Sequence, residues 1–449
     1  MPQTLFATTA LLSDGWHSAV RITVDGGRIT AIDTDAVTAP GDEPVAIALP
    51  GLGNLHSHAF QRGMAGLAER RGASDDSFWT WREVMYRFLE RMGPDDLAAI
   101  AALAYIEMLE TGFTRVGEFH YLHHDPHGNA YADPAAMSAA IAQAAAQTGI
   151  ALTLLPVFYA HGGFGGAAPN AGQRRFLTDL DRFARLRSAA GDALAPLPDA
   201  VLGLAPHSLR AATPDQIGAL ATMAGTAPIH IHIAEQTREV DDCLAWSGAR
   251  PVEWLLDHAP VDARWCLVHA THMTPAETDR LARSGATAGL CPITEANLGD
   301  GLFPARDYRG AWGIGSDSNV LIDASEELRL YEYGQRLVYR GRNLLAPAPG
   351  TSTGAALFGQ SLRGGAAALG APAGIAVGHS ADLISLDAGH PCLIGRSGDA
   401  LLDGWIFAAG RGAIDCVWRH GVKLVSQGRH HARDAIVRQY RAVLTGMLE

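Results

Sequence analysis

A chain of 449 residues holds one large domain with additions or roughly two to three smaller ones, and 48% hydrophobic with 18% charged residues is a globular composition rather than a disordered one. The formal net charge of −12 argues against nucleic acid or an anionic membrane as the main partner, because both call for a basic surface. Five widely spaced cysteines with no C-x-x-C pair predict reduced thiols and a cytoplasmic setting, and there is neither a signal-peptide pattern nor an apolar run of about 18 residues.

The N-terminal residues alternate in short β-like runs, TLFATTALL, SAVRITVDGGRITAIDT and PVAIALP, with a hairpin at Asp25-Gly26-Gly27. Eight apolar runs follow, over 48–58, 112–121, 150–160, 200–209, 227–236, 264–272, 286–295 and 310–319. Helical patterns lie between most of them, such as 95–112 and 133–149, the second with Pro134 at an early helical position and Gly149 at its stop. Continuous apolar strands alternating with helices imply a parallel sheet buried on both faces, and eight such units predict an α/β fold of the (β/α)8 TIM-like barrel type. A doubly wound sheet is the lesser alternative, since no G-x-G-x-x-G follows any strand.

Two stretches interrupt the barrel pattern after strand C-termini. Residues 60–95 carry FWTWREVMYRF, and residues 161–174, HGGFGGAAPNAGQR, read as a mobile glycine-rich loop. Both are candidate pocket walls or lids, because a barrel's active site lies at the C-terminal ends of its strands. The C-terminal part returns to β runs at 381–388 and 413–429, with a hairpin at Gly421. The expected organisation is a small β-sandwich domain built from 1–47 and 376–430, a barrel over 48–375, and a C-terminal helix over 431–449.

The chemistry collects where the barrel strands stop. Strand one ends in His56 and His58, two residues apart and so on one face. Strand five carries His230 and His232, which also share a face, with Glu235 beyond; periodicity does not choose between the two histidines. Strand six ends at His269, with His272 following, and strand eight at Asp317. Imidazoles and a carboxylate converging on one face suit Zn2+ or a similar divalent ion. The segment FHYLHHDPHG places His123 and His127 four apart, but its proline and glycine make a loop, so these histidines are expected in solvent. Cys291 reads as a small buried thiol, and Trp79 and Trp81 as packing or pocket-lining groups. The single lysine, Lys423, lies far from these strand ends in sequence.

The motifs HSH after an apolar strand, HIAE, VHATH, GSD and GHSADLISLD resemble the metal-dependent amidohydrolase superfamily over nearly the whole chain. HSHAFQRGMAGL, FWTWREVMY, APHSLR, HIAEQ and LCPITEANLGDG resemble more narrowly its formimidoylglutamate-hydrolysing branch, which acts in histidine degradation. Binuclear members of the superfamily use a carbamylated lysine at the end of strand four. Strand four here, VLGLAPHSLR, has none, so the resemblance is to the mononuclear deaminases.

That resemblance implies one divalent metal per subunit, Zn2+, held by His56, His58, His232 and Asp317. It implies proton transfer by Glu235 and His269, with Asp317 sharing the base role. It also implies a homodimer. The expected reaction converts N-formimidoyl-L-glutamate and water to N-formyl-L-glutamate and ammonia. A dicarboxylate needs cations, and Arg82 and Arg210 offer two guanidinium forks, with Gln61, Tyr121 and His207 completing the pocket by resemblance. Two other readings are a deaminase of an aromatic base such as guanine or a pterin, and a non-catalytic scaffold on the same barrel. A neutral base needs no double carboxylate clamp, and a scaffold would be expected to lose ligands that this chain keeps.

Overall fold

The computed structural model describes residues 2–71 and 77–448. Its first strands are β1 (Gln3–Leu12), β2 (Gly15–Asp25), β3 (Arg28–Asp33) and β4 (Glu43–Pro50). Asp25 pairs with Arg28 across a two-residue turn, and Gly26 and Gly27 take φ of 55° and 80°. Both values lie in the left-handed region that a tight antiparallel connection requires, which is why the sequence places two glycines there.

The barrel follows as β5 (Leu52–Ser57), β6 (Phe113–His120), β7 (Ala151–Phe158), the short pair β8 (Val201–Leu202) and β9 (Ala205–Pro206), β10 (Ile229–Ile233), β11 (Trp265–His269), β12 (Thr287–Leu290) and β13 (Ala311–Ile314). All pair in parallel, in two ladders running from β5 to β8 and β9 and from β10 to β13. Single parallel bridges join the ladders, Leu204 with Ile229 on one side and Ser57 with Asp317 on the other, so the eight strands close. Strands β5, β6, β7, β10 and β11 are buried along their whole length, as expected when side chains on both faces are covered.

Of the two helices expected early in the barrel, the first spans Pro94–Glu110 and the second Ala136–Thr148. Gly149 ends the second at φ 78°, its N–H bonded to Ala145 O, while Pro134 falls in the turn before the helix.

The chain re-enters the terminal sheet through β14 (Leu383–Leu386), β15 (Ile414–Arg419), β16 (Val422–Ser426) and β17 (Arg429–His430). The strands hydrogen-bond in the order β17-β16-β15-β14-β4-β1-β2-β3, one continuous eight-stranded sheet. It encloses its own small core, in which Leu5, Val20, Ile22 and Val45 meet Leu383 and Trp418. Strand β4 pairs with β14 up to Pro50, so the chain stays in this sheet three residues beyond the expected boundary at 47 and enters the barrel at Leu52.

Residues 387–413 leave the sheet, and their helix Asp399–Gly404 packs on the barrel helix Thr353–Leu369. The C-terminal helix, Arg433–Leu448, lies on Pro94–Glu110, with Arg433 paired to Glu110. Lys423 pairs with Glu43 over the ring of Trp418, so the only lysine is fixed in the terminal sheet. Among the described residues, no helix is long and apolar enough to cross a membrane.

Candidate active site

Strands β5 and β13 meet at a seam that sets the first part of the site. His58 N–H donates to Asp317 O and Asp317 N–H donates to His56 O, each at 2.9 Å. Buried side chains stitch the rest. Asn54 Nδ2 donates to Ser316 Oγ at 2.6 Å, and Ser316 Oγ donates to Asn319 Oδ1 at 2.6 Å. Asn319 Nδ2 reaches Ser57 Oγ at 3.1 Å, His58 O at 3.1 Å and Asp317 O at 3.0 Å. His269, Asp317 and Asn319 take φ of 69°, 44° and 55°. Such conformations cost about 1–2 kcal/mol each for non-glycine residues, and the bonds of the seam hold two of the three.

This seam brings His56 and His58 onto Asp317, and β10 adds His232. His56 Nε2 lies 3.2 Å from His58 Nε2, 3.0 Å from His232 Nε2 and 3.3 Å from Asp317 Oδ1. His58 Nε2 is 3.2 Å from the same carboxylate oxygen. The far nitrogens fix two tautomers: His58 Nδ1 donates to Phe119 O at 2.9 Å and His232 Nδ1 to His207 O at 3.2 Å. Burial lowers the pKa of His56, His58 and His232, so the rings are neutral and turn lone pairs toward one point. Three neutral imidazoles and a carboxylate facing one another without protons to share fit one divalent cation.

His230 shares the barrel interior with His232 but lies one layer deeper. Its Nε2 bonds Ala368 O at 2.8 Å, and of the two histidines it is His232 that joins the cluster.

Beside the cluster stand the proton-transfer candidates. His269 Nε2 is 3.9 Å from Asp317 Oδ2 and 3.9 Å from Glu235 Oε1. Its Nδ1 donates to Glu295 Oε1 at 3.3 Å, and that carboxylate also accepts Cys291 N–H at 3.0 Å. Burial opposes a charge on His269, but Glu235, Glu295 and Asp317 outweigh it and raise its pKa. Burial also pushes the Glu235 carboxyl up, against the pull of His269 and Arg210. His272 is outside this group, its N–H bonded to Ala234 O. Cys291 is buried and its thiol is pushed well up by that burial, as befits a structural thiol.

The cluster forms one end of a cavity of about 500 Å³, and all five expected substrate contacts, Gln61, Arg82, Tyr121, His207 and Arg210, line it. Gln61 Nε2 donates to Tyr121 Oη at 2.9 Å, leaving Gln61 Oε1 buried without a partner. Arg82 and Arg210 stack over Trp79, at 4.6 and 5.8 Å from its ring centre. Neither makes a direct ion pair among the described residues, the Nε of each is buried and unbonded, and the Glu239 and Glu235 carboxylates act on Arg210 without bonding it. Arg238, which the sequence reading passed over, covers Trp79 from the mouth at 4.8 Å.

The glycine-rich stretch forms a wall of the cavity through Gly162, Gly163 and Phe164. Gly162 N–H bonds Ala167 O at 2.8 Å, and Phe164 stacks on Trp246 at 5.4 Å. Of the other interrupting stretch, 72–76 lie outside the described residues, while Trp79 and Trp81 both line the cavity. The loop histidines differ from expectation. His127 is exposed, but His123 is buried with Nε2 on Val157 O at 2.8 Å, and His124 reaches Leu177 O at 2.7 Å.

Two family models match the chain: the amidohydrolase family over residues 47–424, and the N-terminal domain of formimidoylglutamate deiminase HutF over residues 3–46. The chain belongs to the amidohydrolase family. It is 51% identical to the formimidoylglutamate deiminase of Pseudomonas aeruginosa over 99% of each chain. The crystal structure of an amidohydrolase from Brucella melitensis, 54% identical, covers 100% of each chain with a TM-score of 0.96. A zinc-bound adenosine deaminase from Xanthomonas campestris, 23% identical, shares the fold over 99% of this chain and 98% of its own, with a TM-score of 0.81.

Amidohydrolases are metal-dependent, and the four-residue cluster is where this amidohydrolase could hold an ion. Lys423 pairs with Glu43 in the terminal sheet, and a second candidate group, His269, Cys291 and Asp317, shares its carboxylate with the cluster. Glu295, Asn54 and Asn319, like Arg238, are among the residues of the site that sequence reasoning missed. Glu295 left a faint signal, a carboxylate in the first turn of the short helix Pro292–Leu298 that follows strand seven of the amidohydrolase barrel.

Proposed function

We propose that this amidohydrolase hydrolyses N-formimidoyl-L-glutamate to N-formyl-L-glutamate and ammonia, the deimination step of histidine degradation. The observation that carries the reading is a pair of guanidinium groups, neither in a direct ion pair among the described residues, in the same cavity as the ligand cluster. Two cations so placed match a small dianion, and an arginine fork binds a carboxylate through two parallel hydrogen bonds. The full-length similarity to the Pseudomonas aeruginosa deiminase supports the same substrate.

We assign His56, His58, His232 and Asp317 as the ligands and zinc as the ion, supported by the donor set and by the zinc of the related adenosine deaminase. A divalent ion held there would supply a water acidified toward a pKa of about 7 and a Lewis acid for the C=N bond. Protonation of Glu235 and a divalent cation on Asp317 would remove much of the negative charge that raises His269, leaving Nε2 to take the water's proton while Glu295 keeps the other nitrogen protonated and the ring oriented. The water oxygen bonds to the amidine carbon. Glu235, its pKa raised by burial, protonates the imine nitrogen as the carbon is attacked; the proton held by His269 then passes to the resulting amino group, the new hydroxyl gives its proton to the Glu235 carboxylate, and the C–N bond breaks to leave ammonia and the formyl C=O. Asp317, with Oδ2 facing His269 Nε2 at 3.9 Å, shares the proton relay. Arg82 and Arg210 hold the carboxylates, while Gln61, Tyr121 and His207 orient the chain between them. A cytoplasmic homodimer completes the proposal. Five free cysteines support the compartment, and the exposed apolar residues Leu337 and Val338 on helix Ala324–Tyr339 offer a surface for the partner subunit.

The test is ammonia release from formimidoylglutamate, formimidoylaspartate and guanine by the metal-loaded protein. Turnover of the first is expected. Turnover of guanine alone would place the enzyme among base deaminases and end this reading.

A further inference from the structure

We propose that Tyr159, aimed by Gln173 of the glycine-rich wall, donates a hydrogen bond to one substrate carboxylate and forms a three-donor subsite with Arg82 and Arg210. The identity of the substrate rests on the deiminase reading; the direction of the hydroxyl rests on hydrogen-bond accounting.

Gln173 is 1% exposed, and its Oε1 accepts the N–H of Asn170 at 2.8 Å. A backbone N–H only donates, so the carbonyl end of the amide is assigned and the NH2 end faces Tyr159. Gln173 Nε2 lies 2.6 Å from Tyr159 Oη and donates to it. The phenol oxygen is therefore an acceptor toward Gln173, and its own proton has to point elsewhere. No side chain or carbonyl among the described residues accepts it. What remains is the cavity, which Tyr159 lines together with Arg82 and Arg210.

The ring is held in place. Its centre is 4.7 Å from that of His207, edge to face, and 5.8 Å from that of Phe176. The wall reaches this position because residue 172 is glycine: a Cβ there would sit 2.5 Å from the Tyr86 ring. Burial raises the phenol pKa although both arginines pull it down, so the hydroxyl keeps its proton at neutral pH. A neutral O–H donor beside two unpaired cations is arranged for an anion rather than for a second cation or an apolar group.

The experiment compares wild type with Tyr159→Phe on three substrates: N-formimidoyl-L-glutamate, N-formimidoylglycine, which lacks the distal carboxylate, and 4-(formimidoylamino)butyrate, which lacks the α-carboxylate. KM should rise about tenfold for the dicarboxylate and for one of the two monocarboxylates, with kcat within about twofold, as the loss of one hydrogen bond to a charged group predicts. The other monocarboxylate should be unaffected. Unchanged KM on all three, or an equal loss on all three, would overturn the proposal. Gln173→Leu keeps the phenol but frees its rotation, and should raise KM on the same two substrates by a smaller factor; no change there overturns the role of Gln173. Binding of N-formyl-L-glutamate, read by the fluorescence of Trp79 and Trp81, should weaken by about tenfold in Tyr159→Phe and requires no turnover. If wild type binds this diacid but releases no ammonia from formimidoylglutamate, the deiminase reading fails while the Tyr159 subsite is still decided by the binding ratio.

Discussion

Arg210→Met should weaken substrate binding and move the pH profile together. Arg210 projects from the end of the fourth barrel strand into the cavity, and its Nε is buried without a partner. A hydrogen bond to a charged group contributes about 1.5–3 kcal/mol, so losing the fork corresponds to a rise in KM of about 10- to 150-fold. The same guanidinium acts on Glu235. Burial pushes that carboxyl up, and His269 and then Arg210 are the groups that pull it back. Removing the cation lets the Glu235 pKa climb further, so the limb of kcat/KM that reports Glu235 should shift to higher pH. Arg210→Lys retains the charge and should leave the limb close to wild type, yet KM should still rise because an ammonium lacks the planar two-donor fork. Initial rates of ammonia release from about pH 5.5 to 9 for the three proteins separate the two effects. An unchanged KM in Arg210→Met, or a limb moving to lower pH, would refute the assignment.

Glu295→Gln keeps an acceptor for Cys291 N–H but removes the charge facing His269. It should lower kcat by about 10- to 100-fold with KM within about twofold, and a change confined to KM would count against the relay. His232→Ala should lose bound metal, whereas His230→Ala should keep about one ion per chain by elemental analysis, because His230 is bonded to Ala368 O and outside the ligand cluster. Glu118 accepts Ala59 N–H at 2.7 Å, and burial pushes its carboxyl to about 8 from 4.5. The folded state therefore holds a proton that the unfolded state releases between those values. The stabilisation is complete below the lower value and is lost as pH rises through the upper one, at about 1.4 kcal/mol per unit. Glu118→Gln cannot ionise, so its thermal midpoint should fall less than that of wild type between about pH 5 and 8; parallel curves would exclude Glu118 as the source.

The barrel, and the convergence of His56, His58, His232 and Asp317, were legible because each rests on a local pattern. Apolar runs stop abruptly at polar residues, and alternate positions share a face, so His56 and His58 had to act together. Alternation could not separate His230 from His232, since both face inward and only depth in the barrel distinguishes them. Asn54 and Asn319 were beyond reach, and Glu295 nearly so, for another reason: each acts through a contact distant in sequence, and their own surroundings look like ordinary helix and strand ends. His123 was misread because DPHG resembles a solvent loop, while the chain at His123 and His124 is still covered by Arg175, whose carbonyl accepts both backbone N–H groups. In the glycine-rich wall Gly172 serves close approach to Tyr86, a contact distant in sequence that the glycine spacing does not announce.

The seam has a consequence for how the protein is made. Ser57 and Asn319 meet across 262 residues of chain, and His56 and His58 join Asp317 at the same place. During synthesis the first two histidines emerge from the ribosome long before Asp317, so the nascent barrel carries an open edge and an incomplete set of the proposed ligands until strand eight has emerged. Closure is a long-range event with a large loop-closure cost and is expected to come late in folding. Ribosome-bound chains truncated before residue 317 should therefore be unable to retain the ion, however much of the barrel has already formed.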